Sequence, residues 1–245
     1  MTIPSLPVAS FSPLYQQIKA MILASLQASE WLPGMPIPSE MELAARYLVS
    51  QGTVRKAIDE LAAENLLVRR QGKGTFVATY QEEGWQYRFL RLELDASQKL
   101  HLISHFLACE TLKSTPVLAQ MLKLKAGDPV IRIERIQSFQ SKPIVFEEIW
   151  LSAARFNDLT LDKLNAWSGP MYAFYESQYS THMVRAEEQI KAINADQHLA
   201  NHLGLPVGHA LLLVDRVAFT YGNKPVEIRC ARYNTSEQSY VNKLN

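Results

Sequence analysis

The amino-acid sequence predicts an α+β protein, with a small, mainly helical N-terminal domain and a larger C-terminal domain built on an antiparallel sheet. Two observations support this prediction. Helix-like spacing and helix-capping residues occupy the chain as far as Leu66, and a glycine-containing turn between two strand-like runs follows them. In the second half of the chain, an order of helix, strand, turn and strand occurs twice.

The composition is that of an ordinary globular protein. The chain has 245 residues, of which 47% are hydrophobic, enough for one large domain or two modest ones. Its two cysteines are too few for a disulfide framework, which favours a cytoplasmic location. No apolar run approaches the roughly 18 residues of a membrane span, and the opening residues lack an export signal, so we expect no membrane partner. The net charge of +1 means that a polyanion partner must be argued from local clusters of bases.

Three helices are predicted in the N-terminal domain. The first begins after Pro13, where apolar residues recur at four-residue spacing. The second begins at Ser39 and Glu42, which have the spacing of a capping box. Ser50 is the N-cap candidate of the third helix, whose apolar residues from Val54 onwards follow the rule i, i+3, i+4, i+7.

The second and third helices are joined by a tight turn, which is the arrangement of a helix-turn-helix unit. The third helix exposes polar and basic residues near its beginning, where a recognition helix meets base edges in a major groove. These residues are Gln51, Gly52, Thr53, Arg55 and Lys56. Basic residues that are clustered in this way favour DNA binding. On charge alone, a helix face that is merely solvated remains an alternative.

A basic hairpin directly follows the third helix. Strands are predicted over residues 67–70 and 75–77, and the glycines of the turn at residues 71–74 permit the positive φ angles of a tight hairpin. The bases on this hairpin are Arg69, Arg70 and Lys73. A winged helix can also bind another protein, so DNA binding is favoured by the order of the features rather than by any one of them.

Residues 79–87 lose clear periodicity, so we expect a linker there, between a DNA-binding domain of residues 1–78 and a second domain of residues 88–245. The second domain contains an internal repeat in which residues 81 apart correspond. The aligned pairs include Leu118 with Leu199, Gly127 with Gly208, and Arg135 with Arg216. Each copy is too small to bury its own apolar face, so the copies are expected to share one sheet, covered by helices on one side.

Between the two copies, the sequence predicts an aromatic-rich helix from Pro170 to about Gln178. A strand is predicted after it, from Val184 to Ile193, because apolar and charged residues alternate there. A pseudo-twofold domain of this type commonly has its ligand cleft between the two halves. We therefore expect a binding site at the junction of the repeats.

These motifs resemble a known family. Residues 13–78 resemble the DNA-binding domain of the GntR family of bacterial transcription regulators through "PSEMELAARYLVSQGTVRKAIDELAAENLLVRRQGKGTFV". The chain from about residue 86 onwards resembles the UTRA effector-binding domain of the HutC-type branch, which has a chorismate lyase-like fold. The resemblance implies a ligand-responsive repressor that binds a palindromic operator in double-stranded DNA as a homodimer. It also implies a small-molecule effector, a carboxylate or a phosphorylated metabolite.

The resemblance implies DNA contacts from the start of the recognition helix and from the wing. The expected DNA-binding residues are Ser39, Ser50, Gln51, Gly52, Thr53, Arg55, Lys56, Arg69, Gln71, Gly72 and Lys73. The family often has Arg where Met41 and Gln51 stand, a hydroxyl residue where Gly52 stands, and Gly where Leu48 stands. Because Gln prefers adenine and Arg prefers guanine, we expect an operator that departs from the usual one. Gly52 allows a closer approach to the duplex or reflects drift at a tolerant surface site.

The resemblance also implies an effector site in the second domain. The expected effector-binding residues are Arg135, Gln137, Glu147, Tyr172, Glu227, Arg229 and Tyr233. Some relatives have a second Arg where Gln137 stands, and its absence weakens the case for a sugar phosphate. Arg185 and Arg232 are either further carboxylate partners or members of ordinary salt bridges.

An enzyme is the main alternative, because the fold that the chain resembles is that of a lyase. The sequence contains no catalytic constellation, no cofactor motif and no metal-ligand spacing. His198 and His202 are four residues apart on a predicted helix, but the Glu of a zinc motif is missing, so a solvated helix face is favoured. We therefore expect no enzymatic activity and no cofactor. A winged helix that acts only as an architectural or protein-binding module is the third alternative.

Overall fold

The computed structural model describes residues 12–81, 92–94 and 102–241. The chain divides into two compact units, and the division falls between Ala78 and Thr79. Each unit has its own set of buried apolar residues. Within the described ranges, no helix is both long and apolar enough to span a membrane.

Over its described residues, 12–78, the N-terminal unit consists of three helices and an antiparallel hairpin. Its elements are α1 (Leu14–Gln27), α2 (Glu40–Tyr47), α3 (Gln51–Ala63), β1 (Leu67–Arg70) and β2 (Gly74–Val77). Both α1 and α2 pack against α3. The side chains that these helices bury almost completely include Ile18, Ile22, Leu43, Val54, Ile58 and Leu61. The apolar stripe that the sequence predicts on each helix therefore faces this core.

Both predicted N-caps are present. The Ser39 hydroxyl accepts a hydrogen bond from the Glu42 backbone N–H at 3.3 Å, and the Glu42 carboxylate accepts one from the Ser39 N–H at 2.8 Å. These two bonds complete the capping box of α2. The Ser50 hydroxyl accepts from the Thr53 N–H at 3.2 Å and caps α3. Between the helices, Leu48 has a φ of 55°, so a leucine carries strain where the family often has Gly.

The hairpin after α3 has the predicted strands, with β2 beginning one residue earlier than expected. Arg70 pairs with Gly74 across the turn, and the Lys73 N–H donates to the Arg70 carbonyl at 2.9 Å. Gly72 and Gly74 have φ angles of 69° and 109°, which explains why the turn contains glycine at these positions. The Arg70 guanidinium lies over the Phe76 ring, 4.1 Å from its centroid, and so covers one face of the hairpin.

The C-terminal unit is built on a six-stranded antiparallel sheet. Its elements are β3 (Leu92–Leu94), β4 (Ile103–Lys113), α4 (Pro116–Leu122), β5 (Pro129–Phe139), β6 (Lys142–Ser152), α5 (Leu161–Asn165), α6 (Met171–Tyr179), β7 (Arg185–Asn194), α7 (Gln197–Leu203), β8 (Ala210–Thr220), a 3₁₀ turn (Tyr221–Asn223), β9 (Lys224–Tyr233) and β10 (Gln238–Tyr240). The strand order in the sheet is β4-β5-β6-β9-β8-β7, and β3 pairs with β10 separately.

The internal repeat is present in the strand register as well as in the order of the elements. Lys113 pairs with Pro129 between β4 and β5, and the residues 81 positions later, Asn194 and Ala210, pair between β7 and β8. The register shift that follows Gln137 in the first repeat also has its counterpart in the second, 81 residues further on. The two copies therefore fold in the same way, which confirms the prediction of a pseudo-repeat.

The repeats meet where β6 pairs with β9. Lys142 corresponds to Lys224, so residues of these strands correspond at a spacing of 82. Glu148 pairs with Cys230, which is 82 residues further on, so this pair maps onto itself when the repeats are exchanged. The pseudo-twofold axis therefore passes through the middle of the sheet, between the third and fourth of its six strands.

Helices cover both faces of the sheet, so the prediction of helices on one side only is wrong. Ile149 of β6 packs in a cluster with Tyr175 of α6, whereas Phe146 of the same strand packs with Leu199 of α7. Residues an odd number of positions apart on a strand point to opposite faces. The sequence does not indicate the face that α6 covers, because that helix buries six consecutive residues, from Met171 to Glu176, instead of one stripe.

The first residues of the expected linker are part of the C-terminal unit. The Thr79 hydroxyl donates a hydrogen bond to the buried carboxylate of Glu176, and the Tyr80 backbone N–H donates to the same carboxylate at 3.3 Å. Tyr80 is fully buried, and its hydroxyl donates to the Met183 carbonyl. These partners are about a hundred residues away in the chain, so local periodicity gives no sign of them. Residues 82–87 lie outside the described residues.

One difference between the repeats gives a stability test. Lys123 ends α4 with a φ of 54°, whereas Gly204 ends α7 with a φ of 64°. Since a side chain in this left-handed conformation is unfavourable by about 1 kcal/mol, Lys123→Gly should raise the free energy of unfolding by about that amount. Gly204→Ala should lower it similarly, and urea denaturation measures both changes. Lys125→Gly is the control and should not stabilise. A destabilising Lys123→Gly would contradict the prediction.

Candidate functional site

The N-terminal unit gathers the expected DNA-binding residues on α3 and the hairpin. Those that are solvent-exposed are Ser39, Ser50, Gln51, Gly52, Arg55, Lys56, Arg69, Gln71, Gly72 and Lys73, and Thr53 is partly exposed. The Thr53 hydroxyl lies 2.8 Å from the Ser50 hydroxyl. The Lys56 ammonium lies 4.0 Å from the centroid of the Tyr15 ring, so this base is held against α1.

The carboxylate of Glu40, the first residue of α2, accepts hydrogen bonds from three of these side chains. Its Oε2 accepts from Arg55 Nε at 2.9 Å and from Gln51 Nε2 at 3.2 Å. Its Oε1 accepts from an Arg69 terminal nitrogen at 3.0 Å. The hydrogen bond from Arg55 is the main reason that the pKa of Glu40 lies below its usual value. The ionised carboxylate therefore connects α2, the start of α3 and β1. Glu40 was not among the expected DNA-binding residues.

The fold of the unit does not require glycine at position 52. A Cβ atom added to Gly52 would meet one atom within 4 Å, the Ser50 hydroxyl oxygen at 3.9 Å, which is ordinary contact. The residue also lies in the first turn of α3, where it is exposed. The surface around it is therefore open, and the explanation for this glycine does not lie in packing within the unit.

The C-terminal unit contains a cavity of about 410 Å³ between the two repeats, beside the start of α6. This volume is in the usual range for small-molecule sites. The cavity brings together six of the seven expected effector-binding residues, which are Arg135, Gln137, Glu147, Tyr172, Arg229 and Tyr233. They come from β5 and β6 of the first repeat, β9 of the second, and α6 between them.

An ion pair across the strands forms one wall of the cavity. Arg135 of β5 lies opposite Glu147 of β6 and donates to it from Nε at 2.6 Å. A second guanidinium, that of Arg229, donates to the same oxygen at 3.4 Å. Burial alone would raise the pKa of Glu147, but the charges of Arg135 and Arg229 outweigh it and lower the pKa to about 2. Glu147 is therefore ionised at neutral pH and orients both guanidinium groups.

Glu227, the seventh expected residue, lies behind the wall of the cavity instead of lining it. Its carboxylate is fully buried and accepts hydrogen bonds from the Tyr172 and Tyr175 hydroxyls, both at 2.9 Å. It also accepts two bonds from Arg229, at 3.0 and 2.9 Å. Because these donors satisfy both carboxylate oxygens, Glu227 holds Tyr172 and Arg229 in position from behind the wall of the cavity.

Arg216 lines the cavity and was not among the expected residues. It is the counterpart of Arg135 in the second repeat, 81 residues later, so the repeat alignment contained the signal that could have identified it. The Arg216 side chain is buried, and its Nε donates to Glu188 of β7 at 2.7 Å. Among the residues that the structure describes, three buried guanidinium groups and one carboxylate thus line the cavity, an arrangement that suits an anion.

The start of α6 supplies polar groups and an aromatic wall. Pro170, which has no N–H, is the N-cap of this helix, and its own side chain makes no capping hydrogen bond to the first-turn amides. Residues 167–172 line the cavity at this point. Burial raises the pKa values of Tyr172 and Tyr233 to about 12 each, so both hydroxyls are protonated at neutral pH.

The other candidate residues lie away from the cavity. Arg185 forms an ion pair with Glu187, and Arg232 forms one with Glu148 on the opposite face of the sheet, as the salt-bridge alternative predicts.

His198 and His202 pack on the Phe146 ring with centroid distances of 5.2 and 5.0 Å. In the described part of the chain, no three His, Cys, Asp or Glu side chains are grouped to hold a metal ion.

Comparisons with known proteins agree with this architecture. The UTRA domain model matches residues 97–238, more than half of the chain, and the model for bacterial regulatory proteins of the gntR family matches residues 14–77. The uncharacterized HTH-type transcriptional regulator YurK of Bacillus subtilis (strain 168) is 29% identical over 230 residues, 89% of either chain. The mannosyl-D-glycerate transport/metabolism system repressor MngR of Escherichia coli (strain K12) is 28% identical over 220 residues, 85% of this chain and 89% of its own length.

A solved structure extends the agreement to the fold of the C-terminal unit. The ligand-binding domain of a GntR-family transcriptional regulator from Bordetella bronchiseptica is 38% identical, with a TM-score of 0.64, and the match covers 65% of this chain and 99% of that domain. These proteins are transcription regulators and not enzymes, so the comparisons confirm the prediction that the chain is not a lyase. The chain belongs to the GntR family of bacterial transcription regulators and consists of a gntR-type helix-turn-helix domain followed by a UTRA domain.

Proposed function

We propose that this regulator is a repressor that binds a palindromic operator as a homodimer, and that a small anionic metabolite in the cavity of the C-terminal unit alters this binding. The observation that carries the proposal is the group of exposed polar and basic side chains at the start of α3 and on the adjacent hairpin. The proposed domains are residues 1–78 for DNA binding and the UTRA domain for the effector and the dimer contacts.

The proposed DNA contacts follow from the chemistry of the exposed residues. Arg55 and Lys73 supply positive charge for phosphates, and the Ser50 hydroxyl can donate a hydrogen bond to a phosphate oxygen. Gln51 reads a base edge, and Gly72 allows the hairpin backbone to approach the minor groove. The other residues proposed for this surface are Ser39, Gly52, Thr53, Lys56, Arg69 and Gln71. A single recognition helix covers one half-site, so a palindrome requires two copies of the chain.

The effector is proposed to be a small anion, either a carboxylate or a phosphorylated metabolite. Arg135, Arg216 and Arg229 are held by carboxylates before any ligand arrives, so a bound anion meets oriented donors. Gln137 also lines the cavity. A positively charged residue at this position would favour a doubly charged phosphate, whereas Gln137 is uncharged. MngR is named for mannosyl-D-glycerate, which carries a carboxylate, and this is consistent with the same class of ligand here.

Helix α6 offers a route from the cavity to the DNA-binding domain. Its first residues, Met171 and Tyr172, line the cavity, and the Tyr172 ring packs edge-on against Tyr80 with a centroid distance of 5.5 Å. Near its other end, Glu176 holds Thr79 and Tyr80, which directly follow the DNA-binding domain in the chain. A ligand that shifts α6 would therefore change how the connecting segment is held, provided that it binds the two arrangements unequally.

The first test concerns DNA. We expect Arg55→Ala and Lys73→Ala each to weaken binding to an operator selected from random DNA, because each removes a charge that faces phosphates. Each variant should also reduce the slope of log affinity against log salt by about 1. Fluorescence anisotropy at several salt concentrations measures both quantities. Lys113→Ala, which removes an exposed charge from the C-terminal unit, should change neither. Equal affinity for all DNA fragments would contradict the proposal.

The second test concerns the effector. A carboxylate or phosphorylated metabolite that binds the cavity should stabilise the full chain, by about 2.7 kcal/mol at a concentration of 100 times its Kd. Arg216→Gln should weaken this ligand about tenfold or more, since a hydrogen bond from a charged group is lost. A thermal-shift screen measures the effect. The matched control is Arg232→Gln, which removes a paired arginine from the other face of the sheet. If both variants weakened binding equally, the cavity would not be the site.

The third test concerns the route through α6. Thr79→Val keeps the shape of the side chain but removes its hydrogen bond to Glu176. We expect effector and operator each to bind the variant as they bind the wild type when tested separately, whereas the change in operator Kd caused by the effector should become smaller. Thr220→Val, at another buried threonine of the C-terminal unit, is the control. An unchanged effector response in Thr79→Val would argue against this route.

A further inference from the structure

We propose that Glu40 is a positioning residue that sets the operator preference of this chain through Gln51 and Arg55. The inference rests on the proposed DNA-binding function and adds to it a residue that contacts no base itself. Glu40 is the first residue of α2, and its carboxylate accepts hydrogen bonds from three of the side chains that are proposed to meet DNA. Its side chain is 14% exposed, whereas that of Arg55 is 57% exposed.

The geometry assigns an orientation to the Gln51 amide. A carboxylate only accepts hydrogen bonds, so the amide nitrogen of Gln51 must face Glu40, as it does at 3.2 Å, and the amide oxygen must point away. The flipped amide would bring two oxygen atoms together. In the observed orientation, Gln51 presents its amide oxygen and its second N–H to the surroundings. This pair is complementary to the N6 donor and the N7 acceptor of adenine in the major groove.

The same carboxylate restrains the two arginines beside Gln51. Arg55 directs both Nε and a terminal nitrogen at Glu40, each at 2.9 Å, and so keeps its remaining edge for an outside partner. Arg69 is held between Glu40 and Asp59, at 3.0 and 2.6 Å. Arginine side chains that are fixed in this way cannot reorient to bind whichever phosphate is nearest, whereas unrestrained side chains can.

The charge of Glu40 also acts against non-specific binding. A carboxylate beneath the recognition helix opposes the phosphates of every DNA sequence, and only a sequence with the matching base contacts compensates for this repulsion. Glu40 therefore lowers affinity for arbitrary DNA while it fixes the groups that read the operator. Discrimination between sequences is the quantity that this residue controls.

The test compares purified full-length wild type with Glu40→Gln and Glu40→Asp. Selection from a random DNA library gives the half-site of each protein, and anisotropy gives affinities for the selected operator, for single-base variants and for random duplex. We expect an A·T pair at the position read by Gln51 in the wild type. In Glu40→Gln the preference for this pair should fall about tenfold, affinity for random duplex should rise, and the salt slope should steepen by about 1.

Glu40→Asp separates charge from position. Its carboxylate is one methylene shorter and no longer reaches Gln51 and Arg55 together, so the preference for A·T should fall while affinity for random duplex stays near that of the wild type. The matched control for charge is Glu60→Gln, which removes an acid that pairs with Lys19. This variant should keep the wild-type base preference.

The outcomes distinguish the inference from the function on which it rests. If the wild type selects no sequence at all, the proposed DNA-binding function fails. If the wild type selects an operator but both Glu40 variants keep its base preference, the role of Glu40 is wrong. Equal losses for operator and random duplex, together with a lower melting temperature, would show that Glu40 only stabilises the fold and would also overturn the inference.

Discussion

The antiparallel pairing of β6 with β9 is the interaction on which the C-terminal unit depends. It joins two repeats that each have three strands of the sheet, and its register centres on Glu148 and Cys230. Because the two halves share this register, Arg135 and its counterpart Arg216 come to lie around one cavity. A shift of one residue would turn every side chain of one repeat to the opposite face, so the cavity and the sheet are specified together.

The buried charges of the cavity are stable only as a network. An isolated ionised side chain in a protein interior is very unfavourable, and removing one partner of a buried pair typically destabilises by about 3 to 5 kcal/mol. Here Glu147 and Glu227 each hold Arg229, and Glu147 also holds Arg135. The guanidinium groups are therefore positioned by the fold itself, as the proposed anion site requires.

The N-terminal unit uses one short helix for two purposes. The start of α2 is fixed by the capping box of Ser39 and Glu42, and Glu40, one of the two residues between them, reaches the recognition helix and the hairpin. A well-defined helix start is needed because small displacements of Glu40 would weaken the hydrogen bond that it accepts from Gln51. Local capping and the proposed reading of DNA are thus physically connected.

The sequence by itself determined the three helices and the hairpin of the N-terminal unit, the two helix-strand-turn-strand repeats of the C-terminal unit, and the helix and strand between them, because capping residues, apolar spacing and the 81-residue repeat are local or pairwise patterns. It did not predict β4, the 11-residue strand at one edge of the sheet. It also indicated six residues of the cavity through the family resemblance. Only the tertiary structure decided that helices cover both faces, that Thr79 and Tyr80 are held by α6, and that Glu227 lies behind the cavity. The contacts of Glu40 and the position of Arg216 also required it. These features depend on side chains from distant elements meeting at one point, and no periodicity along the chain records such a meeting.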